Sequence, residues 1–274
     1  IFSPPFSSLY IYSDSYRDMG NCKNDDEFIK QFEYLIPELY RILRTGREVA
    51  VHCKQLVNYA GTSGMAGLRD FRGDLIRAFI KYGFAFHSEV FIWKDPVIEM
   101  QRTKAQGLLY KQLRKDSSYS RVGMPEYLLI FRKWGDKTKE VPVDWKTQKN
   151  FDLPKWQEYA SPCWESSPRE QDFEFYRWMD IRQTNVLNGK VARDNEDEKH
   201  ICPLQLDVIE RAIEMWTNPD DIVFTPFLGI GSEVYQALKM GRRGIGIELK
   251  ESYYKQAIKY CQEAANSEEQ QSLF

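Results

Sequence analysis

Apolar positions recur along this chain alternately at helical and at strand spacing. Phe28, Phe32, Leu35, Ile36, Leu39, Ile42 and Leu43 return every three or four residues and predict a helix starting at Asp25. Asp25 and Asp26 suit its positive end, Gly46 suits its stop, and Pro37 inside the run predicts a kink. The short apolar run Val49–Cys53 predicts a buried strand. A Gly/Ser-rich loop over 61–67 leads to a second helix over 70–82, then strands over 84–93 and 125–132. From Pro203 the same alternation resumes. A helix to Trp216 carries Ile209, Ala212, Ile213 and Trp216 on one face. It is followed by a strand over 221–225, a helix over 232–240, a strand over 243–249 and a last helix over 251–264. Strands alternating with helices predict an α/β domain with a mostly parallel sheet.

Two stretches break the alternation. Ser7–Asn24 is polar and aromatic and reads as a loop. Residues 133–180 hold five of the seven tryptophans (Trp134, Trp145, Trp156, Trp164, Trp178) without a clean period, which predicts an irregular insert with the tryptophans as its small core. The expected organisation is therefore 1–132, an inserted region 133–183, and 184–274. Ile1-Phe2 reads as the end of a buried strand whose earlier part is missing, so the sequence reads as a piece of a longer polypeptide.

With 274 residues the chain can bury a sizeable core, and no apolar run approaches the roughly 20 residues that span a bilayer. Cys22, Cys53, Cys163, Cys202 and Cys261 are odd in number and never spaced as CxxC, which argues against a disulfide framework or a zinc site and for a reducing, cytoplasmic setting. His52, His87 and His200 form no metal-spaced set; His52 and His87 read as core or strand-end residues. The net charge of −2 says nothing for nucleic acid, so an electrostatic case rests on local clustering. Arg102, Lys104, Lys111, Arg114, Lys115 and Arg121 supply it, opposed only by Asp116 and interleaved with Tyr110 and Tyr119. Such a segment predicts a surface that tracks phosphates and stacks bases.

The chemistry concentrates at the two ends. Ile222–Ser232 reads as strand, glycine-bearing turn and helix start, where Gly229 and Gly231 admit a ligand close to the backbone and the helix offers free amides. About twenty residues on, Glu248 stands at the tip of the next strand, placed to accept two ribose hydroxyls. FTPFLGIGS followed by GRRGIGIEL resembles the motif DPFxGxGT followed by GRRxIGIE of bacterial and phage DNA amino-methyltransferases. The resemblance implies that Thr225, Phe227, Gly229, Gly231, Ser232 and Glu248 hold S-adenosyl-L-methionine. It also implies that His200 and Pro203, in the segment His200-Ile201-Cys202-Pro203, meet its methionine end. Thr225 departs from the pattern, which has Asp there.

Ser3-Pro4-Pro5-Phe6 is similar to the same family's [D/N/S]-P-P-[Y/F] signature. A base amino group is a poor nucleophile because its lone pair is delocalised into the ring. An acceptor side chain and the carbonyl of the first proline, stiffened by the prolines, would favour the pyramidal nitrogen that attacks. Phe6 would stack on a base flipped out of double-stranded DNA. The catalytic motif precedes the cofactor motif by about 220 residues, an order similar to the permuted subclass that carries its DNA-recognition insert between the two. The resemblance thus implies a Rossmann-like methyltransferase fold in a bacterial or phage-like context. Serine at the first position leans the target towards cytosine N4, with adenine N6 as the alternative. A non-catalytic cofactor or nucleic-acid binder stays open because of Thr225. Carbon-5 methylation has only Pro162-Cys163 in its favour, placed before the glycine motif and inside the insert.

Overall fold

The computed structural model describes residues 1–9, 11–103, 105–135, 140–142, 151–164, 181–192 and 203–271. Capping sets the first elements. Asn24 accepts the Glu27 amide at the start of α1 (Asp25–Phe32), whose first turn carries Asp25, Asp26 and Glu27 against the helix dipole. The predicted single helix breaks at Glu33-Tyr34, and α2 (Leu35–Ile42) takes Pro37 into its first turn, where a missing N–H costs nothing. Strand β1 (Glu48–Lys54) follows. The Gly/Ser-rich loop is more ordered than expected: β2 (Leu56–Asn58), the short α3 (Ala60–Ser63) and β3 (Gly67–Arg69) form a small antiparallel hairpin. Asp70 caps α4 (Phe71–Lys81), which leads to β4 (Ala85–Ile92).

Between β4 and β5 (Glu126–Arg132) lie two short helices, α5 (Pro96–Thr103) and α6 (Tyr110–Lys115). The described part of the expected insert contains α7 (Leu153–Tyr159) and the two-residue β6 (Cys163–Trp164). Two of its five tryptophans have described side chains, and neither is buried as expected. Trp134 and Trp156 are exposed, Trp134 under the Arg132 guanidinium at 5.0 Å, while Phe151 and Tyr159 are the buried pair. Trp145, Trp178 and the Trp164 side chain lie outside the described residues. The C-terminal part runs α8 (Leu206–Trp216), β7 (Ile222–Thr225), α9 (Ser232–Lys239), β8 (Arg243–Gly246) and α10 (Glu251–Gln271).

The main sheet has the order β1-β5-β4-β6, with β5 antiparallel to both neighbours and β4 parallel to β6. β7 and β8 form a parallel pair. The first two residues join these sheets. Phe2 makes a parallel bridge to Val51, its amide donating to Ala50 O at 3.0 Å and the His52 amide donating to Phe2 O at 2.8 Å. The Ile1 nitrogen donates to Phe224 O on β7 at 3.1 Å. Ile1-Phe2 is therefore the buried strand segment that its apolar character predicted. Strands β1, β4 and β6 run the same way, and the reversed β5 between β1 and β4 makes the main sheet mixed, with parallel pairing at β4/β6 and in β7/β8.

Side-chain alternation on β1 and β5 divides the core in two. Val49, Val51, Leu129 and Phe131 face α1, α2 and α4, burying Phe28, Phe32, Ile36, Phe71, Leu75 and Phe79. Ala50, Leu128 and Ile130 face α8, burying Val208, Ile209, Ala212 and Ile213. The result is a three-layer α/β/α arrangement, and its loops at the sheet edge where β7 and the Ile1-Phe2 segment end carry the residues considered next.

Candidate active site

Both ends of the chain meet in one cleft. A cavity of about 340 Å³ is lined by Ser3, Pro4, Pro5 and Phe6 from the first segment and by Phe227, Gly229, Ser232 and Glu248 from the last. Pro203 and Leu204 also line it, as do Tyr12 and Asp18 from the polar aromatic loop. The volume falls within the usual range for small-molecule sites. The loop is ordered by Asp18, a buried carboxylate that accepts from the Ser13 amide at 2.8 Å, the Ser13 hydroxyl at 3.0 Å and the Gly20 amide at 2.8 Å.

The glycine turn is shaped by two left-handed residues. Gly229 has φ +54 with nothing within 4 Å of a would-be Cβ, whereas Gly231, at φ +100, precedes α9 and stands 3.1 Å by the same construction from Ala257 Cβ on α10. Glu248 ties the turn to the tip of β8. Its Oε2 accepts the Gly229 amide at 2.7 Å and its Oε1 the Lys250 amide at 2.8 Å. Burial pushes this carboxyl above its ordinary range, against the lowering effect of those backbone bonds.

Other expected residues fall elsewhere. Thr225 ends β7 with its side chain fully buried behind the cleft wall, and its Oγ1 finds no hydrogen-bond partner among the described residues. Gly231 shapes the helix start without lining the cleft. His200 lies outside the described residues, as do Lys104 and the Arg102 side chain. Lys111, Arg114 and Lys115 are exposed on α6, next to the exposed rings of Tyr110 and Tyr119. Arg121, expected on the same phosphate-tracking surface, has its guanidinium bonded to Glu99 at 3.0 Å and to the Val122 carbonyl at 2.9 Å. Cys163 sits on the edge strand β6, outside the cleft, and no cysteine lines the cleft among the described residues.

Sequence reasoning missed two features. Glu233, in the first turn of α9, is a buried carboxylate in the cleft wall, pushed up to about 7 by burial. Its position directly after Ser232 was the available signal. Second, His52 is more than a core residue: its Nδ1 lies 3.2 Å from Ser3 Oγ and its Nε2 3.0 Å from Glu126. No local pattern reveals this, because Glu126 is 74 residues away. The Phe6 ring meets His52 edge-on at 6.3 Å between centroids, with Lys54 Nζ 5.5 Å from its centre.

Comparison with known proteins gives the family and the fold. A family profile described as "DNA methylase", for N6 and N4 methyltransferases, matches residues 1–259. The orphan methyltransferase M.BamHII of Bacillus amyloliquefaciens is 24% identical over 259 residues, covering 89% of this chain and 84% of that protein. The type II methyltransferase M1.MboII of Moraxella bovis is 34% identical over 84 residues, 31% of each chain. Such higher-identity matches span only about a third of the curated relatives' length. A putative DNA modification methylase of Thermus thermophilus, solved with S-adenosyl-L-methionine, shares the fold at a TM-score of 0.63 and 19% identity, covering 96% of this chain and 84% of that one.

Proposed function

Because the chain belongs to the N6/N4 DNA methylase family, we propose that it transfers a methyl group from S-adenosyl-L-methionine to the exocyclic amino group of a base flipped out of double-stranded DNA, with cytosine N4 as the target. One observation carries this reading: Ser3–Phe6 and the Gly229/Glu248 turn, about 220 residues apart, line a single cleft.

The cleft fits the cofactor. Gly229 leaves open space where any side chain would intrude, and the free amides at the start of α9 favour polar ligand atoms. Glu248 reaches that space as an acceptor for ribose hydroxyls. When bound, S-adenosyl-L-methionine supplies an electrophilic methyl group on a sulfonium centre. The chain's own residues then do the positioning. Ser3 Oγ and the Pro4 carbonyl accept the two amino hydrogens, which localises the nitrogen lone pair for attack. Phe6 stacks on the flipped base, offsetting part of the few kcal/mol that flipping costs. Holding nitrogen and methyl carbon in line makes the transfer effectively intramolecular.

Exposed Lys111, Arg114 and Lys115 contribute phosphate contacts, and residues 133–183 contribute base selection. Serine at the first catalytic position is the reason for preferring cytosine: a neutral acceptor suffices if that amino group needs less polarisation than adenine's. The test is sequencing for modified bases in DNA from cells expressing the protein, with nucleoside mass spectrometry alongside. N4-methylcytosine in a defined context is expected. N6-methyladenine alone would overturn the base assignment, and unmodified DNA from cells with folded protein would overturn the activity.

A further inference from the structure

The hydroxyl of Ser3 does not stand alone. Behind it run His52, Glu126 and Lys94, contributed by β1, β5 and the segment after β4. Ser3 Oγ is 3.2 Å from His52 Nδ1, His52 Nε2 is 3.0 Å from Glu126 Oε2, and Lys94 Nζ is 2.8 Å from the same Glu126 oxygen. All three rear side chains are largely shielded, at 7%, 17% and 12% exposure. The sheet register builds the chain of contacts. The His52 amide bonds Phe2 O, so Ser3, the next residue, is set beside the His52 ring, and Glu126 pairs with Lys54 two positions along β1.

From this geometry we infer that His52 and Glu126 fix the polarity of Ser3 and receive the proton released by methyl transfer. The inference rests on the methyltransferase reading. Its logic is one of donors and acceptors. Burial alone would push the Glu126 carboxyl up, but the Lys94 ammonium and the His52 bond overcome this and hold it well below the usual carboxylate range. An ionised carboxylate can only accept, so His52 Nε2 carries a hydrogen. In the neutral ring Nδ1 is then a bare lone pair, and the Ser3 hydroxyl must donate to it. Ser3 Oγ consequently turns its lone pairs to the cleft, as an acceptor for the amino group. Were Glu126 absent, the opposite tautomer would donate Nδ1–H to Ser3, and the hydroxyl would point its own hydrogen at the amino group.

The same contacts accept the surplus proton. The base nitrogen forms its bond to the methyl carbon while the methyl–sulfur bond breaks and its electron pair stays with sulfur. The nitrogen, now positively charged, releases one hydrogen ion to Ser3 Oγ as the hydroxyl proton of Ser3 passes to His52 Nδ1. Ser3 ends neutral, and the imidazolium faces the Glu126 carboxylate. After the product leaves, the proton returns through Ser3 to water in the cleft. His52 acts through Ser3 and is a positioning residue by that standard; the charges facing it are Glu126 and Lys94, with Lys54 beyond the Phe6 ring.

The test uses the intact chain in two arms. In the first, ¹⁵N NMR of the histidine rings over a pH series reads the tautomer of the neutral ring without any cofactor. The expected signal for His52 is an Nε2–H form with a hydrogen-bonded, unprotonated Nδ1. Ser3→Ala should shift Nδ1 while keeping the tautomer, and Glu126→Gln should abolish the bias. An Nδ1–H tautomer in the parent overturns the inference. In the second arm, single-turnover methyl transfer is followed at saturating cofactor and duplex. His52→Asn keeps an acceptor for Ser3 but cannot take a proton, and His52→Leu loses both. Rates should fall in that order, to about 10²-fold for leucine, with binding of cofactor and DNA little changed. Both variants within twofold of the parent would overturn the inference. A parent that shows the Nε2–H form yet transfers no methyl group supports the polarity of Ser3 and overturns the methyltransferase reading instead.

Discussion

The Glu248 carboxylate accepts the Gly229 amide at 2.7 Å, so the acid at the tip of β8 and the glycine turn after β7 form one unit. That unit sets the first expected outcome. Glu248→Ala removes an acceptor for ligand hydroxyls and releases the turn at once. A hydrogen bond to a charged group contributes about 1.5–3 kcal/mol, so affinity for S-adenosyl-L-methionine should fall about 10- to 100-fold in calorimetry. The pH sign follows from the same residue. Burial raises this carboxyl, so it is neutralised earlier than an ordinary glutamate as pH falls, and cofactor affinity should weaken towards acid. Parent affinity in the alanine variant would remove Glu248 from the site.

The two glycines of the turn should separate ligand effects from folding effects. At Gly229 an alanine Cβ meets nothing within 4 Å, and φ +54 is a left-handed conformation costing about 1–2 kcal/mol. Its methyl group would instead enter the cleft, so Gly229→Ala should reduce cofactor binding more than stability. At Gly231 the backbone sits at φ +100 and the added carbon would lie 3.1 Å from Ala257 Cβ and 3.2 Å from its Cα. Gly231→Ala therefore crowds Ala257 on α10 by a few tenths of an ångström at a strained backbone angle, and urea unfolding should show a loss of about 2–3 kcal/mol. Equal midpoints for the two variants would contradict this division.

Glu233 gives a stability signature. Burial raises its folded value from 4.5 to about 7, so the folded state prefers the protonated acid. Its contribution is full below about pH 4.5 and is lost as pH rises through 7. At about 1.4 kcal/mol per pH unit, ionisation costs about 3 kcal/mol by pH 8. Glu233→Gln should consequently raise the unfolding midpoint at pH 8 and leave it near the parent's at pH 4.5. A variant whose advantage does not grow with pH would contradict the burial argument.

The helices and strands of this fold were legible because each buries a face and therefore repeats at the period of its geometry. Val49–Cys53 and Ile222–Thr225 were short apolar runs and are strands; Ile209, Ala212 and Ile213 were a stripe and pack on the sheet. The break after Phe32 was less visible, because the apolar period continues across it and only Pro37 hinted at a join. Motifs with close spacing, such as Gly229, Gly231 and Glu248, announced the turn and strand tip that build one wall of the cleft. The contacts behind Ser3 could not be read in the same way. His52, Glu126 and Lys94 come from three separate stretches of chain, and only sheet register brings them together. In the insert, tryptophans suggest burial by composition, yet Trp134 and Trp156, the two whose side chains are described, face solvent.

Charge on α6 should announce itself through salt. Each phosphate neutralised by a lysine or arginine adds about 0.9 to the slope of log affinity against log salt concentration, because condensed counterions are released. Lys111, Arg114 and Lys115 are exposed on this short helix. Replacing all three by alanine should lower that slope by about 2 to 3 and weaken duplex binding alike for every sequence. Arg121 belongs to a different class. Its guanidinium is spent on Glu99, whose other oxygen takes the Met124 amide at 2.6 Å and so fixes the chain entering β5. Arg121→Ala should therefore lower thermal stability and leave the salt slope near the parent's. Fluorescence anisotropy with a short duplex over a salt series distinguishes the two. A parent slope in the triple variant would remove α6 from the DNA surface.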